Sequence, residues 1–357
     1  MIKKIGIVLF IIIVLVIVYF TAVPSRIDPA AYRPPAGPGL TGVLAPNELL
    51  KNAALLGGQR LEGPEDVAFD AKGRLYTGTG NGEIVRVSGN GAAEVFAETK
   101  GRPLGLHFDA LGRLVVCDAY RGLLSIDGEG RVSTLAVSAE GVPFKFANGI
   151  DISGAGTIYF SDSSDTFYQK DYLCELLEAK PHGRLMSYMP KTGKTSVLLD
   201  DLYFPNGVAL SEKEDFVVVC ETFRYRLTRF WLRGPKRGTS EVFIDNLPGF
   251  PDGVSSDGSG TFWIALFALR NDLMDTIHRY PLIKKLISKL PRFFRPEPAS
   301  YGLVLAVNEK GEIIRSLHEP SGTHMGGITS ARTHGGRLYL GGMCREGVGV
   351  YELENMQ

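Results

Sequence analysis

Apolar and polar residues alternate in short paired runs along most of this chain, and six of the pairs open alike. The first runs read Pro-Glu-Asp-Val-Ala-Phe (64–69), Pro-Leu-Gly-Leu-His-Phe (103–108), Ala-Asn-Gly-Ile-Asp-Ile (147–152), Pro-Asn-Gly-Val-Ala-Leu (205–210), Pro-Asp-Gly-Val-Ser-Ser (251–256) and Met-Gly-Gly-Ile-Thr-Ser (325–330). A second apolar run starts at Leu75, Leu114, Ile158, Phe216, Phe262 and Leu338, ten residues after the second motif residue in five units and twelve in the last. Between the runs lie loops such as Ala71-Lys72-Gly73-Arg74 and Asp257-Gly258-Ser259-Gly260, the chemistry of hairpin turns. Units recur every 39 to 74 residues, which suits four-stranded blades around an axis. The pattern predicts an all-β fold, a six-bladed β-propeller over residues 47–357.

Rotation about the axis of a propeller carries each position of the repeat to an equivalent place beside the central channel. The second motif residue is Glu65, Leu104, Asn148, Asn206, Asp252 and Gly326. Glu65, Asn148, Asn206 and Asp252 are oxygen donors, and the two acids supply the charge that balances one divalent, hard cation. Calcium is therefore expected at the channel mouth. A competing reading makes Asn or Asp before Gly a simple turn residue, but it leaves Glu65 unexplained.

Two stretches break the blade pattern. After Lys3 and Lys4, residues 5–23 run apolar without a charge, long enough to cross a bilayer as a helix. A cleaved signal peptide has a shorter apolar core and a small-x-small site, which Thr21-Ala22-Val23-Pro24 supplies poorly. Residues 1–23 thus read as a transmembrane signal anchor. Its lysines keep the N-terminus cytoplasmic and put the propeller on the periplasmic, lumenal or extracellular side. The Pro- and Gly-rich residues 24–46 read as a linker.

The second break is a helical insertion at about 270–297. Leu282, Ile283, Leu286, Ile287 and Leu290 share one helical face, while Lys284, Lys285 and Lys289 gather elsewhere. Arg292, Phe293, Phe294 and Arg295 continue the same character. Such an amphipathic helix suits a lid over the channel mouth, a second membrane contact through residues 282–295, or a cover on a blade face. A shorter insertion at 167–181 brings Tyr168, Tyr172 and Leu176 toward the same mouth.

With 39 basic and 39 acidic residues the chain carries no field that would attract nucleic acid, and no such partner is expected. The four cysteines form no spaced framework: Cys117 and Cys220 end similar apolar strands and read as buried thiols, and a bridge from Cys174 stays open. The chain has no Gly-x-Ser-x-Gly elbow, phosphate-binding Gly loop, CxxC or HExxH. Serine-hydrolase, nucleotide and zinc chemistry are disfavoured accordingly.

Phe-Ala-Asn-Gly-Ile-Asp-Ile (146–152), Phe-Pro-Asn-Gly-Val-Ala-Leu-Ser (204–211), Phe-Pro-Asp-Gly-Val (250–254) and Gly-Arg-Pro-Leu-Gly-Leu (101–106) resemble the strictosidine synthase-like family. That family is similar in turn to the gluconolactonase, regucalcin and paraoxonase propellers. The resemblance runs over roughly residues 40 to 355 and implies a six-bladed calcium propeller with lactone or aryl ester hydrolysis. It makes Glu65, Asn148, Asn206 and Asp252 the metal ligands. Two departures matter: Leu104 stands where paraoxonase-type members place a His, and the last repeat, His324-Met325-Gly326-Gly327-Ile328, has no acid where strictosidine synthase uses a Glu. Condensation chemistry is not expected.

The expected chemistry is attack of water on a lactone or ester carbonyl polarised by calcium. Asp252 serves as ligand and general base, Asn148 and Asn206 as neutral ligands, Glu65 as a charge-bearing ligand, and His324 as an auxiliary acid or base. The alternative is a membrane-tethered, non-catalytic propeller with a structural calcium, acting as a binding platform.

Overall fold

The computed structural model describes residues 22–88, 91–291, 299–343 and 346–353, with residues 4, 5, 7, 10, 14 and 18–20 before them. Six four-stranded antiparallel sheets surround one axis, joined by a small two-stranded ribbon, Ser138–Ala139 with Val142–Pro143. Five sheets use four consecutive strands. The sixth takes Ile328–His334, Arg337–Gly342 and Val348–Glu352 from the end of the chain and Ala54–Leu56 from its beginning, with Ala54 opposite Val350. This last pairing closes the ring, so no blade edge is left open between the first and last repeats.

Each motif forms the innermost strand of its blade: Val67–Phe69, Pro103–Phe108, Ala147–Ile152, Pro205–Leu210, Gly249–Ser256 and Ile328–His334. The second strands are apolar on both faces because a neighbouring blade covers each; Val217, Val218 and Val219 are all fully buried. Blades meet through these faces. Val208, Val217 and Val219 pack on Leu185 of the preceding blade, and Leu106, Leu114 and Val116 on Ala68 and Tyr76. Each such side chain contributes about 1.5–3 kcal/mol by leaving water.

Among the described residues three helices interrupt the blades: α1 (Tyr172–Glu178), α2 (Asp272–Ile277) and α3 (Pro281–Lys289). They occupy the two insertions read from the sequence. Asn271 caps α2 by accepting from the Met274 N–H, and Pro281 starts α3 at a position where no N–H is needed. Residues 292–298, with Phe293, Phe294, Arg292 and Arg295, lie outside the described residues, as does Cys344. Cys117, Cys174 and Cys220 are buried.

The expected membrane-spanning run, residues 5–23, falls mostly outside the described residues; its described positions through Val18 and Ala22 are helical. No helix among the described residues is long and apolar enough to cross a membrane. The stretch read as a linker is laid across the propeller rather than left free. Ala30 N–H donates to the Glu178 carbonyl, Tyr32 N–H to the His278 carbonyl, and Ile27 is buried against Phe167 and Leu177. Further along, Asn246 and Arg270 donate to the Ala36 and Pro35 carbonyls.

Candidate metal centre

The motif residues reach the axis because the inner strands bulge at them. Pairing with the second strand breaks between Pro103 and Leu106, Ala147 and Ile150, Pro205 and Val208, and Pro251 and Val254. Residues 104, 148, 206 and 252 sit inside those breaks, freed from the ladder and turned toward the channel, the common use of a bulge beside a site. The Asn-Gly and Asp-Gly pairs are therefore strand residues, and the hairpin-turn reading of them fails. Their glycines answer to space. A Cβ on Gly105, Gly149 or Gly253 would come within 2.4 Å of the Asn148, Asn206 or Thr329 carbonyl oxygen of the next blade.

That succession corrects the sixth repeat. Gly253 meets Thr329, and the sixth inner strand breaks its pairing between Ile328 and Ser330, so Thr329 rather than Gly326 occupies the motif position. Its hydroxyl donates to the Glu65 carbonyl at 2.7 Å and links the last inner strand to the first.

Glu65, Asn148, Asn206 and Asp252 are all buried, and all four line both the central channel and a second, apolar cavity on the helical side. They form the partition between the two. Arg102 Nη2 donates to Glu65 Oε2 at 2.7 Å, Asn148 Nδ2 to Ser163 Oγ at 3.0 Å, and Asn206 Nδ2 to Asp252 Oδ1 at 2.5 Å. Among the described residues no donor reaches Glu65 Oε1, Asn148 Oδ1, Asn206 Oδ1 or Asp252 Oδ2. These four oxygens are not among the sealed polar atoms that lack a partner; their residues line the cavity, so four blades offer unpaired oxygens where a ligand can reach them.

Electrostatics give the same indication. Burial raises the Asp252 carboxyl well above its ordinary range, the Glu65 charge adds to it, and only the Asn206 amide works against the rise. Burial also raises Glu65, opposed by Arg102. An all-oxygen set with two acids fits a hard divalent cation, which would relieve both effects. Among the described residues no group of three or more His, Cys, Asp and Glu is placed to hold a metal; the ring brings together two acids and two amides.

Hydroxyls that sequence reading passed over hold the ring together. Ser163 Oγ donates to the Pro205 carbonyl at 2.7 Å, Ser161 Oγ to the Asn206 carbonyl at 2.6 Å, and Thr222 Oγ1 to the Pro251 carbonyl at 2.7 Å. Each links a second strand, or its end, to the next blade's motif. Acids closing the second strands act within blades: Asp118, Asp162 and Glu221 accept from the N–H groups of Arg102, Phe146 and Tyr203, just before the motifs. The signal was present in the register, since Leu-Val-Val-Cys-Asp, Ile-Tyr-Phe-Ser-Asp and Val-Val-Val-Cys-Glu end alike.

The cavity above the ring is strongly apolar. Phe146, Phe204, Phe223, Phe250 and Phe267 form its wall, with Leu173 and Leu176 of α1 and Met274 and Ile277 of α2. Phe204 holds φ at 53°, uncommon for an aromatic residue, and stacks on Phe223 with ring centroids 4.4 Å apart. Leu104 takes the ring position without an oxygen and joins this apolar cluster instead. Tyr172 lines the cavity as expected, whereas Tyr168 does not. His324 lies elsewhere: its Nε2 is 2.7 Å from the Ala53 carbonyl and it lines neither cavity. Reading Gly326 as the sixth motif position had brought His324 too near the mouth.

The chain matches the strictosidine synthase profile over residues 148–235 and the strictosidine synthase-like N-terminal profile over residues 42–87. It is 37% identical over 344 residues to the adipocyte plasma membrane-associated protein of Rattus norvegicus, covering 89% of this chain and 90% of that one. The chain belongs to the strictosidine synthase-like family. In fold it is similar to a gluconolactonase from Xanthomonas campestris, with a TM-score of 0.62 and 19% identity over 92% of this chain and 98% of the other. A calcium-binding protein, regucalcin, from Agrobacterium tumefaciens aligns with a TM-score of 0.57 and 19% identity over 90% and 94%. At that identity the two structures speak for the fold alone.

Proposed function

We propose that this family member is a calcium-dependent hydrolase of lactones or aryl esters, held on a membrane by residues 5–23 with its propeller on the non-cytoplasmic side. The observation that carries the reading is the ring of four unpaired oxygens, from Glu65, Asn148, Asn206 and Asp252, at the floor of an apolar cavity. The fold shared with a gluconolactonase and a calcium-binding regucalcin supports it. The name of the rat relative, a plasma membrane-associated protein, supports the anchor.

A calcium ion bound by these four residues would supply Lewis acidity at the carbonyl oxygen of the substrate. The phenylalanines and the helical roof bind the apolar part of the substrate and exclude bulk water from it. Asp252 accepts a proton from the attacking water as its oxygen bonds to the carbonyl carbon. That proton passes to the departing ring or aryl oxygen as its bond to carbon breaks, leaving a hydroxy acid, or an acid and a phenol. Asn206 orients Asp252 through its amide N–H, and Arg102 opposes the rise that burial imposes on Glu65.

The test uses the full chain in detergent, stripped of metal by a chelator and assayed on a panel of lactones and aryl esters with and without calcium. Turnover that returns with calcium alone and is absent in Asp252→Ala is expected. A folded, calcium-loaded protein that hydrolyses none of them is the binding-platform outcome and would overturn the enzymatic reading.

A further inference from the structure

Helix α3 presents the wrong face outward for a helix in water. Leu282, Ile283 and Leu286 are 77%, 42% and 47% exposed, whereas Lys284 is completely buried and Ser288 nearly so. A water-facing helix does the reverse, with its apolar stripe on the core and its lysines in solvent. The inversion is held in place by structure: Lys284 Nζ donates to the Ala30 carbonyl at 2.6 Å, and α3 packs on α1 and α2, the helices that roof the cavity. Tyr280, at the start of α3, is also exposed.

The other end of α3 meets the apolar run at the N-terminus. Tyr19 Oη donates to the Lys289 carbonyl at 2.7 Å, and Lys289 Nζ donates to the Phe20 carbonyl at 2.7 Å. Tyr19 and Phe20, near the end of the apolar run, therefore lie beside α3. Cations gather at the same place: Arg26 pairs with Asp171, Lys180 and Lys285 share Asp28, and Lys180 also meets Glu178, so these three and Lys289 outnumber the three acids. Basic side chains around an exposed aliphatic face suit a surface of anionic headgroups over acyl chains.

We infer that Leu282, Ile283 and Leu286 lie in the headgroup and acyl boundary of the bilayer that residues 5–23 enter, so that the propeller is docked against the lipid with the roof of its cavity at the membrane surface. The inference rests on the anchor reading given above. The bilayer replaces the water that would otherwise face the three aliphatic side chains, and it leaves Lys284 and Ser288, with Ile287, to pack inward.

The experiment places a tryptophan on this face in the full chain, Leu286→Trp, with Leu282→Trp as a second variant in case the first perturbs α3. Leu111→Trp is the control: Leu111 is 78% exposed in a loop joining first and second strands, at the end of the blades opposite the motifs. Each is reconstituted in vesicles of phosphatidylcholine and phosphatidylglycerol with ordinary or dibrominated acyl chains, over the common background of Trp231 and Trp263. Brominated lipid is expected to lower the added fluorescence of the α3 variants at least twofold and to leave Leu111→Trp unchanged. Protein that floats with the vesicles but shows no such difference overturns the docking and leaves the anchor standing. Protein that fails to float overturns both. Emission of the α3 variants that tracks protein dilution and ignores the lipid means that a second copy covers the face, and likewise overturns the proposal.

Discussion

The ring of inner strands and the helical roof above it are built by different rules. In the ring, position in the repeat dictates role: the motif residue turns to the axis, the next residue is Gly in the four blades where a Cβ would come within 2.4 Å of another blade's backbone, and a hydroxyl ties the strand to its neighbour. In the roof no repeat operates. Helices α1 and α3 pack together, yet α1 buries Cys174, Leu176 and Leu177 while α3 buries Lys284 and exposes Leu282. Symmetry constrains the first region, and contacts particular to each helix constrain the second.

The sharpest way to break this comparison is to exchange its expected sensitivities. Asp252→Ala should lower kcat/KM for a water-soluble lactone by about 100-fold or more, the scale of removing a group that acts on the transferred proton or the developing charge. Leu282→Ser, in detergent, should leave that value within about twofold. Equal effects of the two substitutions would show that ring and roof do not divide the work in this way.

Stability should divide along the same line. Gly207→Ala puts a Cβ 2.3 Å from the Val254 nitrogen of the next blade, where backbone must yield, and should destabilise by about 3 kcal/mol in urea unfolding. Leu282→Ser should change the same measurement by about 0.5 kcal/mol or less, as an exposed substitution does.

The buried lysine of the roof supplies a pH test. Burial, with Arg224 nearby, pushes Lys284 down to about 8. Above that pH the folded protein binds fewer protons than the unfolded chain, whose lysine titrates near 10.4, so stability rises between pH 8 and 10. The gain should be on the order of 1–2 kcal/mol relative to Lys284→Met, which lacks the titrating group. A difference between the two proteins that does not vary with pH would place the ammonium in contact with water.

The smallest effect belongs to the hydroxyl ties. Ser163→Ala removes the bonds to Asn148 and to the Pro205 carbonyl and should cost about 1 kcal/mol, measured by thermal unfolding. Calcium affinity should fall with it, because Asn148 loses the partner that fixes its amide.

Much of the ring was legible in the sequence because a repeat reports the same fact several times. Six motifs, five of them ten residues from a second strand, gave the blade count, and Glu65, Asn148, Asn206 and Asp252 came to one partition as their shared register required. The sixth repeat was misread by three residues. Met-Gly-Gly-Ile imitates Asn-Gly-Ile, and only the approach of Gly253 to Thr329 reveals the true position, which also removes His324 from the mouth. Arg102 was hidden for another reason: its partner Glu65 lies in a different blade, 37 residues away in sequence.

The roof was half legible. The period of apolar residues gave the helix over 281–289 but not its orientation, since an amphipathic pattern fixes two faces and says nothing of which one meets the protein. Here the strap over residues 24–46 decides, because its Ala30 carbonyl takes the Lys284 ammonium. A long-range contact of that kind leaves no periodic trace in the chain.

The proposed chemistry requires the ring to act as a single cation site. Calcium binding to the chelated full chain, measured calorimetrically, should show one ion per chain, with affinity reduced at least about tenfold in each of Glu65→Gln, Asn148→Ala, Asn206→Ala and Asp252→Asn, and unchanged in His324→Gln. Binding that survives all four ring substitutions, or no binding by the intact protein, would contradict it.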